Sequence, residues 1–308
     1  MTDTPIAGVA LRTGDVGGSL SRFREALRVA KDVGCSHAEI TAVGLDAIVG
    51  GRLIPERVVQ IVEIFQDSGL KCTLHGIQRV NLLDREEFEA HEAAARASLD
   101  LAAALGASSV VLHAGYDLGP EPKTASDQQR AALQRLGQHA ADLGLQIAVE
   151  PLPPMAMALG KGQEDLRAID PVVLRGEIEA VGLDSVCGML DISHVAQAMT
   201  ATQGDLANAV QGFVPITGHV HLHDSFKVPG TAGYRASESE RIVYGNGDLH
   251  LPLGWGDIDW EGLAPHLAAV RPGTVLVLEI KERYWDSLRP SVERAWSLAQ
   301  QINAAAQG

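Results

Sequence analysis

The 308-residue chain is 46% hydrophobic with a mean hydropathy of +0.04, so it can bury a large core, and no run of about 18 uncharged apolar residues reads as a membrane span. Its 25 basic and 39 acidic residues give a formal net charge of −14, which repels a phosphate backbone and excludes nucleic acid as the expected partner. The first residues, MTDTPIAGVALRTGD, show no basic segment followed by an apolar run, and Cys35, Cys72 and Cys187 are odd in number and lack CxxC spacing, so we expect a cytoplasmic protein with reduced thiols and no membrane partner.

Taken in chain order, short β-rich runs fall at 5–13 (PIAGVALRT), 37–41 (HAEIT), 71–76 (KCTLHG), 108–115 (SSVVLHAG), 146–152 (QIAVEPL), 185–194 (SVCGMLDISH), 216–225 (ITGHVHLHDS) and 274–281 (TVLVLEIK). Segments of helical periodicity lie between them, among them LSRFREALRVAKDVG, EEFEAHEAAARASLDLAAALG and SDQQRAALQRLGQHAADLG, each closing on the glycine expected just past a helix end. Eight strand-helix units predict an α/β fold, a (β/α)8 TIM barrel, as one domain over residues 1–308. The alternative is a doubly wound open sheet, but VALRTGDVGGS matches poorly the glycine turn that such a sheet carries after its first strand. No low-complexity or linker-like tract marks a domain boundary.

In a barrel, catalytic groups sit where strands end. The expected strands three to eight end on His75, His113, Glu150, Asp191 with His194 three residues on, His221 and Glu279. Singly, each has a bland explanation: His75 suits a hydrogen-bonded rim residue, and Glu279 suits an ion pair with Lys281 or Arg283. Together they favour cations, because several carboxylates and imidazoles buried at one mouth are costly unless neutralised. Nitrogen and oxygen donors without thiolates suit Zn2+, Mn2+, Co2+ or Mg2+. His37, His91, His139, His219 and His266 are read as structural or surface residues.

The series VEP, DISH, HVHLHDS, GWGDIDW and LEIK resembles the xylose isomerase-like TIM-barrel superfamily from the first strand to the last helix. In its sugar epimerases one divalent ion is held by Glu, Asp, His and Glu at the ends of strands five to eight; the resemblance places these on Glu150, Asp191, His221 and Glu279. It also implies substrate contacts by His194 and Lys227. The endonuclease IV group of the same superfamily binds three zinc ions at nine positions. Here those positions carry the expected residue types, adding His75, His113, His194, Asp248 and His250, the last two ahead of Gly254 and Gly256. Asp248 and His250 equally suit a pin for a long loop. Pro151 stands where both groups commonly have Asn, so substrate contacts in that loop do not carry over. The acidic charge balance argues against the endonuclease's DNA-repair role.

The resemblance implies an isomerase or epimerase acting on a small sugar, keto-sugar or sugar phosphate, with Glu150 and Glu279 moving protons next to a carbonyl; a dehydratase or lyase shares the first half of that chemistry. The alternative is a hydrolase of a small phosphoester using up to three ions. The segment 226–257 is long for a βα connection and reads as an active-site loop whose Lys227, Tyr234, Arg235, Arg241 and Tyr244 could grip a small polar or anionic substrate. A contact in a homo-oligomer is the other reading of that loop. Trp255 and Trp260 are expected to pack the seventh helix onto the barrel.

Overall fold

The computed structural model describes residues 4–116, 122–154, 168–230 and 237–307. Its barrel strands are β1 (Ile6–Arg12), β2 (His37–Thr41), β3 (Lys71–His75), β4 (Ser109–His113), β5 (Gln146–Glu150), β6 (Val186–Asp191), β7 (Thr217–Leu222) and β8 (Thr274–Leu278). Each lies beside its sequence neighbours and β8 closes onto β1, giving a closed barrel. The open-sheet alternative is thereby overturned. Runs such as Val110-Val111-Leu112 and Val275-Leu276-Val277 are buried along the whole strand, as expected where parallel strands are covered on both faces.

The chain divides into two compact units, one of residues 9–150 and 177–187, the other of residues 1–8, 151–176 and 188–308. In the first, parallel registers pair Thr41 with His75, His75 with Val111, and His113 with Glu150. Polar residues that end β3, β4 and β5 are therefore held at the same edge of the sheet. Helix Leu20–Asp32 starts on Ser19, whose side chain accepts from the Arg22 N–H, and helices Pro55–Ser68 and Phe88–Leu105 stop at Gly69 and Gly106 in left-handed conformation.

In the second unit Asp191 pairs with His221, and Leu222 with Leu278, so Glu279 follows directly on the last pair. The expected strand 185–194 ends early, at Asp191. That carboxylate accepts the backbone N–H of His194 at 2.7 Å and caps helix Ile192–Thr202, which places His194 in the first helical turn. Among the described residues no helix is long and apolar enough to cross a membrane.

Candidate metal centre

In the unit of residues 9–150, three expected donors meet. Glu150 Oε2 lies 3.3 Å from His75 Nε2 and 3.3 Å from His113 Nε2. His75 Nδ1 lies 3.1 Å from the Gly76 carbonyl oxygen, which can only accept, so the hydrogen sits on Nδ1. Burial, with the Arg12 cation, pushes His75 down to about 4 against the pull of Glu150 and Glu39. At neutral pH the lone pair of Nε2 thus faces a carboxylate. The spacing is longer than the usual 2.9–3.0 Å hydrogen bond. It matches the separation of two donors around a tetrahedral ion with bonds near 2.0–2.1 Å, which is about 3.3 Å.

The unit containing residues 188–308 repeats the pattern. His221 Nδ1 lies 2.8 Å from Glu279 Oε2 and 3.8 Å from Asp191 Oδ2. His194 Nε2 is 3.4 Å and His250 Nε2 2.7 Å from Asp248 Oδ2. Both rings turn Nδ1 toward a main-chain carbonyl, His194 to Pro151 and His250 to Glu279, each at 2.9 Å. This is the outer contact that orients a metal-binding imidazole and leaves Nε2 as the donor. Burial lowers His250 to about 4, helped by His223 and Lys281 and opposed by Asp248. Burial alone would raise Asp248, but His250 and His194 hold it well below the usual carboxylate range. A carboxylate with two imidazole nitrogens turned toward it is a donor set that fits a divalent cation.

His250 holds this pose at φ 51°, a left-handed conformation that is uncommon outside glycine. Two main-chain contacts fix it: the ring to Glu279 O, and Lys281 N–H donating to His250 O at 3.2 Å. Asp224, fully buried, secures the rest of the Gly-Trp-Gly turn. Its Oδ2 accepts from Gly254 N at 2.7 Å and from Trp260 Nε1 at 3.3 Å, and its Oδ1 from Ser225 N at 2.9 Å. A Cβ at Gly256 would overlap the Ser225 carbonyl oxygen and the Asp224 carboxylate. Gly256→Ala is therefore expected to cost about 1–3 kcal/mol of stability, read as a lower urea midpoint; an unchanged midpoint would show that the turn yields freely.

A family model described as "Xylose isomerase-like TIM barrel" matches residues 27–302. The chain belongs to this family. No curated protein matches it. Among solved structures, this xylose isomerase-like barrel is similar to a D-tagatose 3-epimerase-like protein, at 17% identity and TM-score 0.67 over 97% of this chain and 98% of that one. It is similar to the 3-keto-D-glucoside 4-epimerase of E. coli at 19% identity and TM-score 0.66, covering 94% and 98%. A third likeness, at 18% identity and TM-score 0.66 over 98% of both chains, is a xylose isomerase-like TIM-barrel protein from Mycobacterium smegmatis in complex with magnesium. At these identities the likenesses establish the fold.

The remaining site residues of the barrel divide. Lys227 is half-buried at φ 59°, just after the turn of Asp224 and Ser225. Tyr234 and Arg235 lie outside the described residues. Lys281 and Arg283 pair with Glu238 of helix Glu238–Val243, which gives them a carboxylate partner other than Glu279. Trp260 is buried as expected, whereas Trp255 is 53% exposed and meets Tyr284 edge-on, so it does not pack a helix onto the barrel. His223 is missed by sequence reasoning, yet it is fully buried with Nε2 at 3.0 Å from Asp191 Oδ2. The signal that could find it is the alternation His219-x-His221-x-His223, which points alternate side chains to one face of an extended chain.

Proposed function

We propose that the protein is a divalent-metal-dependent isomerase or epimerase of a small sugar, keto-sugar or sugar phosphate, with Glu150, Asp191, His221 and Glu279 holding the ion. The observation that carries this reading is that Asp191, His221 and Glu279, all buried, bring one donor atom each within 4.8 Å of one another, while Glu150 offers a fourth buried carboxylate at the end of β5. Similar structures include an allulose 3-epimerase in complex with D-allulose and a psicose 3-epimerase in the presence of D-fructose, which supports a ketose as substrate. When bound, Zn2+, Mn2+, Co2+ or Mg2+ would polarise neighbouring carbonyl and hydroxyl oxygens and lower the cost of removing the adjacent proton.

The chain's own residues do the rest. Glu150 and Glu279 act as the proton-accepting and proton-returning pair. His194 and Lys227, joined by Arg235 from the active-site loop 226–257, hold substrate hydroxyls or a phosphate. A dehydratase on a keto-sugar would begin with the same proton removal. The test is solvent exchange: a panel of ketoses and sugar phosphates is incubated with the metal-loaded protein in D2O, and incorporation of deuterium next to the carbonyl is followed by NMR. Exchange and a new epimer or isomer are expected for at least one sugar, and a panel with no exchange under any of the four metals would refute the reading.

A second reading, a multinuclear hydrolase of a small phosphoester, is favoured by one observation. His75 and His113, and likewise His194, Asp248 and His250, supply donor sets beyond the four residues of a single ion. Release of phosphate from simple esters without deuterium exchange would favour it.

A further inference from the structure

The turn that carries Lys227 and the segment 241–247 reverse the usual distribution of side chains. Val243 is 79% and Tyr244 63% exposed, and Phe226 and Val228 also face solvent, whereas Lys227 and Arg241 are half-buried and Asn246 is only 6% exposed. Apolar groups outside and polar groups inside call for a polar occupant. We propose that Arg241 and Asn246, beside Lys227, form a subsite for the phosphate of a sugar phosphate and so select phosphorylated over free sugars. The subsite rests on the sugar chemistry proposed above and narrows its substrate class.

The backbone holds the three residues together. Gly247 N–H donates to the Val228 carbonyl at 2.9 Å, Val228 and Asn246 form a parallel bridge, and a Cβ at Gly245 would strike the Phe226 ring, so 226–228 and 245–247 run side by side. Asn246 N–H donates to the Arg241 carbonyl at 2.9 Å, which folds the end of helix Glu238–Val243 back onto this pair. A Cβ at Gly247 would lie 4.0 Å from Arg241 Nη1 and 3.3 Å from Gly230 Cα, so the guanidinium rests against a glycine next to Asn246. Lys227 keeps its left-handed turn with its N–H donating to Ser225 Oγ at 3.3 Å. Asp248, whose carboxylate meets His194 and His250, lies two residues beyond Asn246, at most about 7 Å of chain. That is within the reach of one small sugar phosphate.

Charge sorts the occupant. On the helix, Glu240 is spent on Ser237, and Glu238 pairs with Lys281 and Arg283 and feels Arg241 less than either. Lys227 and Arg241 have no ion-pair partner among the described residues, and the Asn246 side-chain amide makes no hydrogen bond there. Two unpaired cations balance the charge of about −1.5 to −2 on a phosphate monoester near pH 7, whereas a carboxylate would leave one of them uncompensated. The guanidinium fork offers two parallel N–H groups to phosphate oxygens, and the amide adds a further donor. A sugar hydroxyl would use neither charge.

The test is binding selectivity. Ketopentoses and ketohexoses, each free and as its terminal phosphate, are titrated by calorimetry into the full-length, Zn2+-loaded protein as wild type, Arg241→Gln and Asn246→Asp. Circular dichroism checks that each variant is folded, and elemental analysis that it keeps its zinc. For at least one pair the wild type is expected to bind the phosphate ester about 10- to 100-fold more tightly than the free sugar, the range for one or two charge-assisted hydrogen bonds. Arg241→Gln removes the cation and its fork, and Asn246→Asp keeps the volume but adds a charge that repels phosphate, so each is expected to erase most of that preference. Either variant alone decides the matter if the other misfolds. A wild type with no preference for any phosphate ester, or folded variants that keep the preference, overturns the subsite. Tighter binding of the matching sugar acid than of the phosphate overturns it as well. Deuterium exchange on the same panel separates the two proposals. Exchange in free sugars without a phosphate preference overturns the subsite while the proposed function stands; a preference that the variants erase, with no exchange in any sugar, overturns the proposed function and leaves the subsite.

Discussion

Glu279→Gln is expected to lower turnover of the sugar substrate by about 100- to 10,000-fold, the range typical for loss of a positioned acid or base. The side chain follows β8 directly, its backbone N–H donates to the Leu222 carbonyl at 3.1 Å, and its Oε2 is 2.8 Å from His221 Nδ1. Gln keeps the volume but removes the negative charge and the proton-accepting oxygen, so both the ion's hold and the proton transfer suffer. Loss in kcat with an unchanged circular dichroism spectrum is the expected signature. The contrast is His250→Ala, which would be mild if that ring serves only to anchor the loop through Glu279 O and Asp248. Wild-type turnover in Glu279→Gln would remove this residue from the chemistry.

Stripping the metal is expected to abolish activity and to lower Tm by on the order of 5 °C, both restored by adding the ion back. An ion present at about a hundred times its Kd stabilises the folded state by about 2.7 kcal/mol, and a chain of this size converts each kcal/mol into roughly 2 °C. The metal-free protein should also be acid-sensitive in a defined window. His75 and His250 fall to about 4 in the fold, below the ordinary value of 6.5. Between those limits the unfolded chain binds more protons than the folded one, so stability rises with pH there and is lost as pH falls from about 6.5 toward 4. Protons compete with the ion for the same nitrogens, so the loaded protein should release its metal in the acidic part of that window. Tm measured against pH with and without Zn2+ checks this, and curves that superimpose would contradict it.

Much of the barrel is legible in the sequence because its strands are short apolar runs ending in polar residues, and that punctuation survives in a single chain. The ends are less so. The run 185–194 reads as one strand by its apolar content, and only the capping geometry of Asp191 shows that the helix begins at Ile192. In the candidate site, His75, His113, Glu150, Asp191, His221 and Glu279 stand out because each interrupts or follows an apolar run. His223 does not, because it lies one residue past β7 in a segment already polar, and its place against Asp191 and His250 depends on the turn that Asp224 organises. Asp224 itself gives no local sign, since its partners Gly254 and Trp260 are some thirty residues away and meet it only through the loop. Trp255 misleads for the opposite reason: its size suggests a core position, but the turn carries it outward onto Tyr284.

The most direct measurement is the elemental content of the protein purified without chelators, compared with an Asp191→Ala, Glu279→Ala double variant. At least one divalent ion per wild-type chain should persist through exhaustive dialysis, and the double variant should lose it together with all activity on ketoses. A folded wild-type protein that stays metal-free in the presence of Zn2+, Mn2+, Co2+ and Mg2+, or that epimerises a sugar at full rate after the ion is stripped, would contradict the metal-dependent assignment outright.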